Sequence, residues 1–131
     1  MRCGTLRRDG EILLHSVWRA DTWWLRLRGL LGRAPLQPGQ GLLIQPCNSV
    51  HTFAMGYPLD LLFFDRDGHV LEWRDRVRPW RGAACLRAHA TLELAAGSLQ
   101  ALQPIHGERL AWWPAEPSTA AASAALAGES L

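Results

Sequence analysis

The hydrophobic pattern changes period several times along the chain, and each change predicts an element. Residues 2–18 read as a hairpin. Asp9-Gly10 is a type I′ turn pair, because both central positions of that turn need positive φ, and the returning arm carries Ile12, Leu13, Leu14, Val17 and Trp18. Trp23, Trp24, Leu27, Leu30 and Leu31 then recur at three- and four-residue spacing, with Arg26 and Arg28 opposite. That spacing predicts an amphipathic helix over about 21–32, capped by Asp21 or Thr22 and stopped by Gly32 and Pro35. Leu42 to Gln45 is a short strand after a Pro/Gly loop. Leu59 to Phe64 is apolar on both faces except at Asp60, the signature of an interior strand. Asp67-Gly68 turns the chain into 69–77, where Leu71, Trp73 and Val77 alternate with Glu72, Arg74 and Arg76, so one wet face is expected. A strand over 88–94 should turn Ala90, Leu92 and Leu94 inward. A short helix over about 97–103 and a last strand over 108–113 complete the series. Many short strands with two helices predict an α+β fold, predominantly antiparallel β, with a curled sheet or small open barrel.

Beyond Pro114 the pattern lapses. Residues 115–131 are rich in Ala and Ser and hold only Leu126 and Leu131 as sizeable apolar side chains. Such a segment buries too little to offset its ordering entropy, so it is expected to be a disordered tail behind a single domain spanning 1–114.

Composition narrows the class. At 131 residues the chain is long enough to bury a core without staples. Cys3, Cys47 and Cys85 are an odd set with no C-x-x-C, which speaks against a disulfide framework and for a reducing compartment. The apolar run 12–14 is too short for a signal peptide, and nothing approaches a membrane span, so a cytoplasmic protein, monomer or weak dimer, is expected. A formal charge of +2 does not by itself imply nucleic acid. The six arginines within 66–89, interleaved with Trp73 and Trp80, read more simply as a solvated strand face.

Candidate chemistry is concentrated in P-C-N-S-V-H-T-F-A-M-G-Y-P-L-D, residues 46–60. Whether this stretch is extended or helical, Cys47 and His51 share a face. A thiol beside an imidazole is a potential nucleophile, and Asp60 is the candidate orienter. The simpler reading makes Cys47 a small hydrophobe and His51 a hydrogen-bonded structural histidine. Cys47, His51, Cys85 and His89 form two C-x₃-H pairs, a donor set that zinc accepts. A strand at Cys85–His89 would spread its pair by about 13 Å, so no metal is expected. No cofactor motif is present. Asp65 and Asp67 flank a tight turn and are accounted for by local backbone bonds. Asp60 lies among Leu59, Leu61, Leu62 and Phe63, where a carboxylate needs partners. The preceding loop, Thr52 or an arginine are the expected donors.

Four motifs in order carry a resemblance: A-D-T…R-L-R-G-L-L-G-R (20–33), G-L-L-I-Q-P-C-N-S-V-H-T-F-A-M-G-Y-P-L-D-L-L-F-F-D (41–65), V-x-P-W-R (77–81) and L-E-L-A-A-G (92–97). Together they resemble the domain of unknown function 192 family over roughly 15–112. The resemblance implies a compact, largely β fold without a settled activity. Many relatives look exported. Some branches carry S-F-W-M-K-N-T in place of C-N-S-V-H and keep F-x-M and P-L/I-D. The shared requirement then maps onto Phe53, Met55, Pro58 and Asp60. The reading that results is a small non-enzymatic module that binds a small molecule or a protein. Asn48, His51, Thr52, Phe53, Met55, Trp80 and Arg81 form its site, and Pro58 and Asp60 hold it. The alternatives are a thiol enzyme using Cys47, His51 and Asp60 and, behind it, a structural zinc site from Cys47, His51, Cys85 and His89.

Overall fold

A computed structural model describes residues 2–20, 34–51, 56–115 and 129–130. The helix expected over 21–32 lies outside them. Strands β1 (Arg2–Arg8) and β2 (Glu11–Ala20) form the first hairpin, and its turn residues Asp9 and Gly10 sit at φ 49° and 83°. After them come β3 (Gln40–Ile44), β4 (Ser49–His51), β5 (Leu59–Phe64), β6 (Val70–Val77), β7 (Gly82–Ala84) and β8 (Ala90–Ala95). The chain ends with a short helix α1 (Ser98–Leu102), β9 (Ala111–Pro114) and β10 (Glu129–Ser130).

Eight strands make one sheet in the order β10-β9-β1-β2-β3-β8-β5-β6, while β4 and β7 pair separately. All pairings are antiparallel except β2 with β3, where Ser16 to Ala20 run beside Gln40 to Ile44. A parallel pair needs a long crossover, which here spans residues 21–39. The ladder does not close into a barrel. It does curl: the Val70 N–H donates to the Glu108 carbonyl at 2.8 Å and the Leu110 N–H to the Gly68 carbonyl at 3.0 Å. These bonds bring the start of β6 against the approach to β9. Glu129 and Ser130 fall within the stretch expected to be tail, and they pair with Trp112 and Ala111.

Both faces of the sheet are covered, which is why every residue of β5 and β8 is buried. One face carries Leu6, Leu14, Leu43, Leu62, Leu92 and Trp112 with α1. The other carries Leu42, Ile44, Leu59, Leu61, Phe63 and Cys85, with Trp18, Cys47, Val50 and Tyr57 packed on it. The expected inward set on β8, Ala90, Leu92 and Leu94, lies on the first face. Thr91, Glu93 and Ala95 are nonetheless buried on the second.

The alternation expected on β6 is broken. Register shifts occur between Phe63 and Phe64 and between Leu59 and Leu61. Trp73 consequently packs on the first face, and Leu71 and Val77 on the second. Glu72 and Arg74 keep side chains 38% and 39% exposed, and Arg74 also touches the neighbouring strand pair. The Arg74 Nη2 reaches the Ala84 carbonyl of β7 at 3.3 Å, and its guanidinium lies 5.7 Å from the Phe63 ring centroid.

Candidate functional site

The C-N-S-V-H segment is held almost wholly through its backbone. The Cys47 N–H donates to the His89 carbonyl at 2.8 Å, and the Cys47 carbonyl accepts from Thr91 Oγ1 at 3.0 Å. Asn48 accepts from the Cys85 N–H at 2.9 Å through its own carbonyl. Ser49, Val50 and His51 then pair with Ala84, Ala83 and Gly82. With the main chain committed, Asn48 and Ser49 present their side chains outward, while Val50 packs down on the sheet. The small residues Gly82, Ala83 and Ala84 let the two short strands lie close over that face. An open groove of about 410 Å³ runs along the pair, lined by Ser49, Val50, Gly82, Ala83 and Ala84. Trp80 stands 62% exposed just before it, at φ 61°, with Arg81 beside it. Thr52, Phe53 and Met55 lie outside the described residues, as does the His51 side chain.

Asp60 belongs to the opposite side. It is fully buried, and its oxygens accept from three backbone N–H groups: Arg76 at 2.8 Å, Gly97 at 3.0 Å and Leu99 at 2.9 Å. It thereby caps the N-terminus of α1 from a distant strand and fills the gap left by the β6 bulge, where Arg76 sits at φ 50°. These three donors are main-chain groups of β6 and of the start of α1, not an arginine side chain, and Thr52 lies outside the described residues. Cys47 packs on the other face of the sheet.

The cysteines and His89 also go separate ways. Cys47 Sγ donates to the Ser49 carbonyl at 3.1 Å. Cys85 is buried; desolvation, and then a hydrogen bond with Glu72, push its thiol above the usual range. Burial pulls the His89 imidazole below its usual range. Among the described residues these groups form no cluster able to hold a metal; the group that does is Asp65, Asp67 and His69. There Asp65 Oδ1 accepts from the Asp67 and His69 N–H groups, both at 2.9 Å, which is turn chemistry.

The sequence reading passed over two residues on the loop's side of the sheet. Glu93 pairs in register with Leu42 on one side and Leu61 on the other, and is only 4% exposed. Its Oε2 makes no hydrogen bond, and desolvation pushes its carboxyl up to about 8. The Tyr57 hydroxyl is likewise buried without a hydrogen bond of ordinary geometry. Burial and then the field of Glu93 raise its ionisation above the usual range. The available signal was a single acid inside A-T-L-E-L-A, which alternation placed on a polar outer face.

An open, mostly antiparallel sheet covered on both faces, with a short strand pair laid over one of them, defines the class. The chain belongs to the family of uncharacterised proteins known as domain of unknown function 192, whose model matches residues 4–112. It is similar in fold to a crystal structure of a protein of unknown function from Novosphingobium aromaticivorans. That likeness has a TM-score of 0.68 at 20% identity and covers 84% of each chain. It is also similar to a "putative transcription regulator" from Sinorhizobium meliloti. There the TM-score is 0.70 at 23% identity, covering 85% of this chain and 92% of that one. A comparison with curated proteins finds no match. No helix among the described residues is long and apolar enough to cross a membrane.

Proposed function

We propose that this protein is a small non-enzymatic binding module whose ligand, a small molecule or a short protein segment, sits against the β4–β7 pair and the 47–57 loop. Trp80 and Arg81 form the rim. The observation that carries this reading is the groove along Ser49, Val50 and Gly82–Ala84, in the size range of small-molecule pockets (about 300–1,000 Å³). Its walls are preorganised, because the backbone bonds of Cys47 and Asn48 are already made. Ordering costs at binding are correspondingly low. A non-enzymatic role accords with the commitment of Asp60 to three backbone groups on the far face.

Fragment screening by NMR tests this. The reporters are the Asn48 side-chain amide and the Trp80 indole N–H. Hits are expected to shift both signals and to weaken at least tenfold in the Asn48→Ala and Trp80→Ala variants. Hits confined to the other groove, between Ile12, Pro38, Ser98 and Ala101, would sink the assignment.

A further inference from the structure

Strand β7 lies between two tight turns, and each turn exposes a large apolar side chain next to an arginine. Trp80 and Arg81 come just before the strand. Leu86 and Arg87 come just after it, in a turn closed by the Ala88 N–H on the Cys85 carbonyl at 2.9 Å. Trp80 is 62% exposed and Leu86 84%. Single exposed apolar side chains are ordinary, but these two stand at opposite ends of one groove. Between them Ala83 and Cys85 pack down on the sheet, while Gly82, Ala84 and the facing Ser49 are exposed and make a floor of small residues. Six residues of chain set the span from Trp80 to Leu86 at about 20 Å or less. The charge of the molecule is concentrated here as well. Residues 66–89 hold six arginines against Asp67, Glu72 and Asp75, whereas the rest of the chain holds eight against nine acids. Of those three acids, Glu72 is engaged by Arg74 at 3.5 Å and lies in the field of Arg87. Arg78, Arg81 and Arg87 are all exposed.

We infer that the β4–β7 pair takes an extended acidic peptide. It lies along the floor of Gly82, Ala84 and Ser49, with one apolar side chain against Trp80, another against Leu86, and carboxylates toward Arg78, Arg81 and Arg87. This commits the proposed binding face to one class of ligand and rests on that reading. The span between the two turns matches about six extended residues. A floor of small side chains lets a peptide main chain come close. Tryptophan and arginine are the side chains that most often anchor such contacts, and the positive excess selects an acidic partner over a basic one. The groove itself argues against a membrane, because a flat bilayer would meet the two turns and leave the floor between them unfilled. Single-stranded nucleic acid uses successive aromatic platforms, and Leu86 offers a base no ring.

The test uses the full chain and a fluorescein-labelled peptide of alternating leucine and glutamate, about eight residues long, against its leucine–lysine counterpart. The glutamate peptide is expected to bind at least tenfold tighter than the lysine peptide and to weaken several-fold from about 50 to about 300 mM salt. Trp80→Ser and Leu86→Ser should each weaken it about tenfold. Ala84→Phe, which fills the floor at an exposed position, should abolish binding. A spin label at the centre of the peptide should broaden the Gly82 and Ala84 amide signals. The wild-type comparison of the two peptides stands on its own if a variant fails to fold. Equal binding of the lysine peptide overturns the acidic class, and broadening centred elsewhere overturns the location. If neither peptide binds while phosphatidylserine vesicles or oligothymidylate do, the occupant is a membrane or a nucleic acid and the peptide is wrong. If neither peptide binds but fragments still shift Asn48 and Trp80, the peptide is wrong and the groove stands; loss of both signals ends both.

Discussion

At the scale of single residues, the sheet holds two buried acids with opposite circumstances. Asp60 is solvated by the protein itself, through three main-chain donors. Asp60→Ala should therefore strand the Arg76, Gly97 and Leu99 amides and cost about 3–5 kcal/mol in denaturant unfolding. Wild-type stability in that variant would refute the clamp. Glu93 runs the other way. Its folded-state carboxyl titrates at about 8 against 4.5 without burial, so between those values the folded state holds a proton that the unfolded chain has released. Stability that is full below pH 4.5 is thus lost as pH rises through 8, by on the order of 3–5 kcal/mol. Glu93→Gln should flatten that loss and raise the melting temperature at pH 9 above wild type. A variant less stable than wild type at pH 9 would mean the acid is structural. Asp60 was legible as a residue needing partners because its neighbours are apolar on both sides. Its partners were not, since two of the three lie 37 and 39 residues further on, at the start of a helix it caps.

At the scale of elements, the strands and turns with local signals were readable. Asp9-Gly10 and Gly68 lie at the positive φ their turns demand, and β5 is interior because both its faces are apolar. Bulges were not readable. The shifts opposite Asp60 and Phe63 reassign Leu71, Trp73 and Val77 between two faces, and simple alternation has no term for an extra residue. The same limit hid Glu93, because alternation assumes one wet face and β8 has none. Within the candidate site, the density of polar groups at 47–51 drew attention to a segment that the structure ties down through its backbone. It could not show that Asp60 and Cys47 lie on opposite faces of the sheet, since that is set by strand pairing. Close packing also fixes a glycine in β1. A Cβ on Gly4 would collide with the Trp113 carbonyl oxygen and stand 2.7 Å from the Trp112 ring. Gly4→Ala should cost about 1–3 kcal/mol and strip hydrogen-exchange protection from Thr5 to Arg7 before the β5–β6–β8 amides are affected. Uniform protection loss would argue against a local lesion.

For the whole molecule, the parts that complete the core come from both ends of the domain. Trp112 of β9 is fully buried against β1 and β2, its indole N–H donates to the Val17 carbonyl at 3.0 Å, and Arg2 and Arg19 each sit 5.2 Å from its ring centroid. The Arg8 guanidinium grips Glu108 with two bonds, 2.7 and 3.0 Å long, and fixes the stretch before β9. In terms of synthesis this sets a schedule. The β1–β2 hairpin leaves the ribosome well before β9, so the cover of its apolar face stays incomplete until Trp112 has been made. Until then Leu6, Leu14 and Val17 are open to other chains, which makes an aggregation-prone interval part of every round of translation. A chain stopped after Leu110 should stay trypsin-sensitive and lack native near-ultraviolet dichroism; a protease-resistant core in that fragment would refute the schedule. For this protein the nascent chain, rather than the finished fold, is where a holding chaperone has the most to protect.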